Sequence, residues 1–125
     1  MENQNIAIIG LHDLGTQFFK AMINLKEKGV NVLSVSEKSF TEGSQAAQDL
    51  GIGNLSIEEV VDMGDQVDII FDLSGDREIR KELRKTLFSS NNQHTVIAPE
   101  SVARLMYTMI GNKPLPETES GKIGY

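Results

Sequence analysis

The sequence predicts an α/β fold: a single doubly wound parallel sheet of about five strands, covered by helices on both faces. Three observations carry this expectation. Ile6-Ala7-Ile8-Ile9 is an apolar run without alternation, the pattern of a strand buried on both faces, and it ends in Gly10 before a helix-spaced apolar stripe. Short apolar runs and helix-periodic segments then alternate along the chain, an order that calls for parallel strands joined by helical crossovers. An acid, Glu37, stands 22 residues after Gly15, at the end of the second apolar run.

The elements follow in order. Leu14, Phe18, Met22 and Leu25 recur at helical spacing, widened by Phe19 and Ile23, and Lys26-Glu27-Lys28-Gly29 closes that helix with cations and a glycine. Val30 to Ser36 is the second strand, ended by Glu37-Lys38-Ser39. Thr41-Glu42-Gly43-Ser44 reads as a loop, and Gln45 to Leu50 as a short helix stopped by Gly51. Ile52-Gly53-Asn54-Leu55 holds at most a very short edge strand. Ser56 and Glu59 have capping-box spacing and open a short helix through Val60, Val61 and Met63, ending near Gly64.

Val67 to Leu73 is the next buried strand, and Ser74-Gly75-Asp76 turns it into a helix with Ile79, Leu83 and Leu87 on its apolar stripe. Arg77, Arg80, Lys81, Arg84 and Lys85 fill its other faces and are expected in solvent. His94 to Ala98 is the last strand, and Pro99 suits the first turn of the last helix. Val102, Leu105, Met106, Met109 and Ile110 form that helix's apolar set. Residues 1–110 are therefore expected to form one domain and 111–125 a flexible tail. Right-handed crossovers give the strand order 3-2-1-4-5, with a crevice above strands one and four.

Composition narrows the function. At 125 residues the chain has the size of one domain. A net charge of −6 argues against binding nucleic acid through its phosphates, which needs clustered cations. The absence of cysteine excludes disulfides, thiol nucleophiles and thiolate metal sites, and fits a reducing cytoplasm, the expected location. No apolar run approaches a membrane span, and the polar N-terminus lacks a signal-peptide pattern. His12 and His94 stand in no ligand-like cluster, so no metal is expected. Ser74-Gly75 lacks the G-x-S-x-G setting of a serine nucleophile, and no acidic pair follows the first strand as a phosphoacceptor would need. No catalytic residue is assigned.

The turn after the first strand is the richest feature. Gly10-Leu11-His12-Asp13-Leu14-Gly15 reads G-x-H-x-x-G, one position away from the Rossmann dinucleotide fingerprint G-x-G-x-x-G. In that fingerprint the first glycine allows the tight turn, the second admits the pyrophosphate, and the third lets helix and strand pack closely. Gly10 and Gly15 supply the first and third; His12 stands at the second. His12 has three readings: a solvent-facing turn residue, a donor to phosphate that gains charge with acidity, or a block on the pyrophosphate site. Glu37 is placed to accept ribose hydroxyls, against the plain reading of a polar strand end. As a ribose acceptor it favours NAD, while Lys38 and Ser39 beside it keep NADP as the second option. Ser74 and Gly75 form either a helix-capping turn or a crevice loop. The candidate cofactor site is thus Gly10, Leu11, His12, Asp13, Leu14, Gly15, Glu37, Lys38, Ser74 and Gly75.

Taken together, Gly10 to Gly15, Val32 to Glu37, Ala46 to Ile52, Ser56 to Val60 and Val67 to Asp72 resemble the N-terminal NAD(P)-binding domain of the glucose-fructose oxidoreductase/inositol dehydrogenase family, and homoserine-dehydrogenase-like domains, over roughly residues 5 to 98. Asp72-Leu73-Ser74-Gly75-Asp76-Arg77-Glu78-Ile79, with Ala103-Arg104-Leu105-Met106, is similar to a Rossmann-like domain at the N-terminus of some bacterial PAS and histidine-kinase signalling proteins. The first resemblance implies NAD(P) and hydride chemistry; the second implies a sensory or regulatory ligand module. Three departures from the dehydrogenases matter. His12 replaces a glycine, Ala98-Pro99-Glu100 stands where they carry Glu-Lys-Pro, and the sequence stops at Tyr125 where they continue into a substrate domain.

The expectation is a Rossmann-like domain that binds NAD(H) or a related nucleotide as a regulatory module and is no complete enzyme by itself. One alternative is the cofactor-binding component of an NAD(P)-dependent oxidoreductase. Another is a protein-interaction module with a vestigial crevice. Val102, Leu105, Met106 and Met109 are either a sheet-covering face or a surface for a second copy or a signalling partner.

Overall fold

The computed structural model describes residues 3–111 and 115–116. Five strands, β1 (Gln4–Ile9), β2 (Val30–Ser36), β3 (Gly53–Asn54), β4 (Ile69–Asp72) and β5 (Val96–Ala98), form one sheet in the order β3-β2-β1-β4-β5. Every pairing is parallel, so both the order and the direction match the sequence expectation. Five α-helices alternate with them: α1 (Asp13–Ile23), α2 (Glu42–Asp49), α3 (Ile57–Asp62), α4 (Arg77–Ser89) and α5 (Glu100–Ile110).

The unbroken apolar character of β1 has a simple cause. Ile6 and Ile8 point into a core shared with Leu14, Phe18, Phe19 and Met22 of α1 and Ala103 of α5. Ala7 and Ile9 point the opposite way, into a second core with Ile57, Val60 and Val61 of α3 and Leu83 of α4. Successive strand side chains face opposite sides, and both sides are covered. Phe18 and Phe71 meet at 4.8 Å between ring centroids, tying α1 across to β4.

Local details depart from the sequence reading for identifiable reasons. The first helix stops at Ile23, and Lys26–Lys28 form a separate 3-10 turn closed by Gly29 at φ +93°. The second helix starts at Glu42, inside the stretch read as a loop, because Thr41 and Ser44 form a reciprocal capping box. Gly43 is tolerated within it because a Cβ there would lie 2.3 Å from Thr16 Oγ1 of α1. The capping box at Ser56 and Glu59 forms as expected. Pro99 is the residue that caps α5 rather than part of its first turn. On α4, Arg77, Lys81, Arg84 and Lys85 are exposed, but Arg80 is half-buried.

The last helix differs most. Ala103 is fully buried, and Met106 and Tyr107 pack against the first core, whereas Val102, Leu105 and Met109 face outward. Of the expected tail, residues 112–114 and 117–125 lie outside the described residues. Leu115 is buried in the first core, and the Arg104 guanidinium donates to the carbonyls of Leu115 (2.8 Å) and Pro116 (2.6 Å). The described part of this segment is therefore anchored to α5.

At the end of the sheet opposite the glycine turn, Asp68 joins three segments. Its carboxylate accepts from the Asn5 N–H at 2.8 Å and meets His94 Nε2 at 2.6 Å. The Asn5 bond foremost, then the His94 bond, hold the Asp68 carboxyl below the usual carboxylate value. The stabilisation is present above the unfolded-state pKa and is lost as pH falls through the lower folded value. Urea unfolding midpoints should therefore fall less steeply between about pH 5 and pH 2 in Asp68→Asn than in the wild type; equal slopes would show that this clip contributes nothing.

Candidate functional site

The crevice is set by backbone contacts that leave no space for side chains. Gly10 sits at φ +94°, and a Cβ on it would lie 2.6 Å from both N and Cα of Ser74, on the turn after β4. A Cβ on Gly15 would lie 1.7 Å from the Gly10 carbonyl oxygen. Gly10 N–H donates to the Ser36 carbonyl at 2.9 Å, so the ends of β1, β2 and β4 converge on one residue. These are the roles the fingerprint assigns to its first and third glycines.

Position 12 needs no glycine conformation. His12 is the N-cap of α1 with φ −79°, a backbone any residue adopts, and its side chain makes no capping bond. The ring is largely exposed, with Nε2 3.6 Å from Glu37 Oε2. It lies within ion-pair distance of the acid that follows β2. The first turn of α1 keeps the partial positive charge of a helix start, opposed by the exposed carboxylate of Asp13.

Glu37 is more than a strand-end acid. Its side chain is 7% exposed, and Oε1 accepts the Leu11 N–H at 2.7 Å while Oε2 accepts the Ser39 N–H at 3.0 Å. An ionised carboxylate has about four acceptor sites, so capacity for further donors remains. The Asn54 side chain holds the Glu37 backbone from β3, accepting from its N–H and donating to its carbonyl, both at 2.9 Å. Ser74 N–H and Oγ–H donate to Asp72 Oδ1 at 3.1 and 2.7 Å, and Ser74 Oγ accepts the Asp76 N–H at 3.2 Å. Asp76 caps α4 through the Glu78 and Ile79 N–H groups. The turn after β4 is thus rigidly built, with Gly75 at φ +65°.

These elements enclose a cavity of about 760 Å³ whose wall includes Gly10, His12, Glu37, Lys38 and Ser74. Of the other expected site residues, Leu11 contributes its N–H but buries its side chain completely. Leu14 is a core residue at 3% exposure, so its side chain is placed for packing and not for a ligand. Gly15 acts by close packing, and Asp13 and Gly75 are not part of the cavity wall. Among the wall residues that the candidate site left out are Ile9, Ser36, Ser39, Asn54, Leu55, Ser56, Ile57, Glu58, Asp76, Ile79 and Glu82. Only the predicted edge strand hinted at Asn54. The wall carries Glu37, Glu58, Asp76 and Glu82 against His12 and Lys38. A second space of about 420 Å³ continues past Lys38 and Ser39 to the exposed ring of Phe40. Among the described residues, no group of three or more His, Asp or Glu side chains is placed to hold a metal ion, and no helix is long and apolar enough to cross a membrane.

This geometry agrees with sequence comparison. Residues 1–109 match the model of the acetohydroxy acid isomeroreductase NADPH-binding domain. The chain belongs to that family. By family, then, this is an NAD(P)-binding domain. A search of curated proteins found no match. Among solved structures, the chain is similar to S. aureus homoserine dehydrogenase at pH 6.5, with TM-score 0.59 and 19% identity over 85% of this chain and 29% of that one. The pH 6.0 structure gives TM-score 0.59 and 20% identity over 87% and 30% of the two chains. RSP in complex with β-NADH is similar at TM-score 0.54 and 14% identity over 86% of this chain and 60% of that one. At such identities the likeness is one of fold. The chain spans about 30% of the homoserine dehydrogenase chain length.

Two substitutions test this construction. Glu37→Ala removes the partner of two N–H groups and should cost about 1–3 kcal/mol, lowering the melting temperature by roughly 5–15 °C. An unchanged melt would show that Glu37 does not clasp the turn. Gly10→Ala places a Cβ against the Ser74 backbone and should cost more than Glu37→Ala in the same melting experiment.

Proposed function

We propose that this domain binds NAD(H) in the crevice and acts as a regulatory module whose ligand occupancy is read through the Glu37 clasp. The observation that carries this reading is the position of the Glu37 carboxylate on the Leu11 and Ser39 N–H groups. Fixed there, it presents its remaining lone pairs to the cavity as acceptors for ribose hydroxyls. A 2′-phosphate would meet a fixed negative charge, so NAD(H) is favoured over NADP(H), with Lys38 and His12 as the basic side chains beside it on the cavity wall. The pyrophosphate belongs at the start of α1, where the helix dipole and the His12 ring offset Asp13. The nicotinamide end falls at the turn after β4, on the Ser74 side of the cavity.

The regulatory part rests on connectivity and on the sequence's likeness to the N-terminal domains of signalling proteins. Glu37 couples the turn after β1 to the loop after β2. A ribose that competes for its carboxylate bears on both segments, and a ligand that interacts differently with two arrangements shifts their populations. A second reading, the cofactor-binding part of an oxidoreductase, is favoured by one finding: homoserine dehydrogenase, which shares this fold, is about three times as long. In that case another domain or chain supplies the substrate pocket.

Calorimetry and thermal melting with NADH, NADPH and ATP separate the readings. NADH should raise the melting temperature, by the equivalent of about 2.7 kcal/mol at a hundredfold excess over Kd, and should bind roughly tenfold or more tighter than NADPH. Tighter NADPH binding would overturn the role given to Glu37. No shift with any nucleotide at millimolar concentration would leave an interaction module with an empty crevice. Hydride transfer from bound NADH to members of an aldehyde panel would establish the oxidoreductase instead.

A further inference from the structure

Two helices of this domain meet solvent in opposite ways. The exposed residues of α4 include Arg77, Glu78, Lys81, Glu82, Arg84 and Lys85, with Phe88 near its C-terminal end the large apolar exception at 86% exposure. The exposed residues of α5 are Ser101, Val102, Leu105, Thr108, Met109 and Ile110, without a single charge. The two charged residues of α5 are turned away from this face: Glu100 is buried beside Arg104, and Arg104 binds the carbonyls of residues 115 and 116. By helical spacing Arg104 lies on the flank opposite Val102. The described part of the segment after α5 is therefore pinned on the side of α5 away from Val102, bordering Thr108.

The stripe continues onto the sheet. β5 is the terminal strand, paired on one side with β4. Ala98 faces the core that α5 covers, and Val96, two residues earlier, shares its side but is 59% exposed. Leu105 is 64% and Met109 76% exposed. Val96, Val102, Leu105, Met109 and Ile110 together leave on the order of 500 Å² of side chain in water, the size of a typical monomer's largest apolar patch, which is often a functional one. Adding Ser101, Thr108 and the β5 edge brings the face toward the roughly 800 Å² per partner of a standard interface.

We infer that α5 and the edge of β5 form the interface of a homodimer, two copies of this chain meeting face to face. The charge distribution selects a second copy. The chain carries −6, and a partner recruited by that charge would be basic and would find nothing on this face to pair with. Two copies meeting here bring no like charges into contact, and their acidic surfaces stay apart in solvent. A neutral apolar patch is complementary to itself, which is what a two-fold interface requires. Met106, grouped with this surface on sequence grounds, is half-buried against the core and belongs to the fold rather than the interface. The inference does not depend on the nucleotide reading, since the crevice lies at the glycine turn and α5 contributes no residue to its wall.

Sedimentation velocity on the full chain, from about 5 to 500 µM, tests it directly. The wild type should pass from monomer to dimer mass with concentration, and Leu105→Glu/Met109→Glu should remain monomeric throughout. Lys81→Ala on α4 should dimerise like the wild type. Circular dichroism verifies that each variant is folded, and Met109→Lys alone serves if the double variant is not. A wild type at monomer mass throughout would overturn the inference and leave the face to the chain's own C-terminal segment or to a different protein. A folded double variant that still dimerises would overturn it by placing the interface elsewhere.

Discussion

Three backbone segments meet at Gly10 with no space for a methyl group between them. The Gly10 carbonyl lies against Gly15 of α1, its Cα lies against the Ser74 backbone, and its N–H reaches Ser36 at the end of β2. Most of what the site offers follows from this crowding. It brings the start of α1 directly above the sheet, so a helix N-terminus points into the crevice. It also holds the turn after β4 beside the turn after β1, at the point where the strand order reverses direction. Ligands of open α/β sheets bind at such a point because the neighbouring loops diverge there and leave a cleft. The two cores on either side of β1 hold the convergence in place.

Glu37 adds the chemistry. A carboxylate on the Leu11 N–H neutralises part of the turn's positive field, and its second oxygen orders the loop that begins with Lys38 and Ser39. Asn54 fixes the backbone behind it. The acid is thus ordered before any ligand arrives, and an acceptor ordered in advance loses little entropy on binding. The same wall holds Glu58, Asp76 and Glu82. The positive potential available on this wall therefore comes from the helix start, His12 and Lys38 rather than from the cavity as a whole. His12 changes the character of the glycine turn without changing its path, because the backbone at this position is ordinary and the ring turns toward Glu37.

Much of the fold was legible because its signals are local. The apolar run into Gly10, the alternation of elements and the Ser56 capping box each report on a few consecutive residues, and the structure matches them. The readings that differed depended on contacts distant in sequence. Gly43 suggested a loop, yet it lies inside α2 because Thr16 of another helix needs the space. Leu14 fell within the fingerprint by position but serves the core by direction. On α5 the large residues suggested the buried face, whereas the close approach is made by Ala103, whose small size marks it only once the neighbouring helix is in view. Asn54 acts through the Glu37 backbone, and no spacing rule connects an edge-strand asparagine to an acid on the next strand.

In the proposed function a dinucleotide engages this domain at the Glu37 clasp. Amide NMR during an NADH titration tests it most directly. The Leu11 and Ser39 N–H signals report on the two bonds to the Glu37 carboxylate, one signal for each oxygen. Both should shift saturably with NADH and rank among the most perturbed amides, with those of α5 unmoved. Saturable shifts confined to other parts of the domain, with Leu11 and Ser39 unchanged, would contradict it.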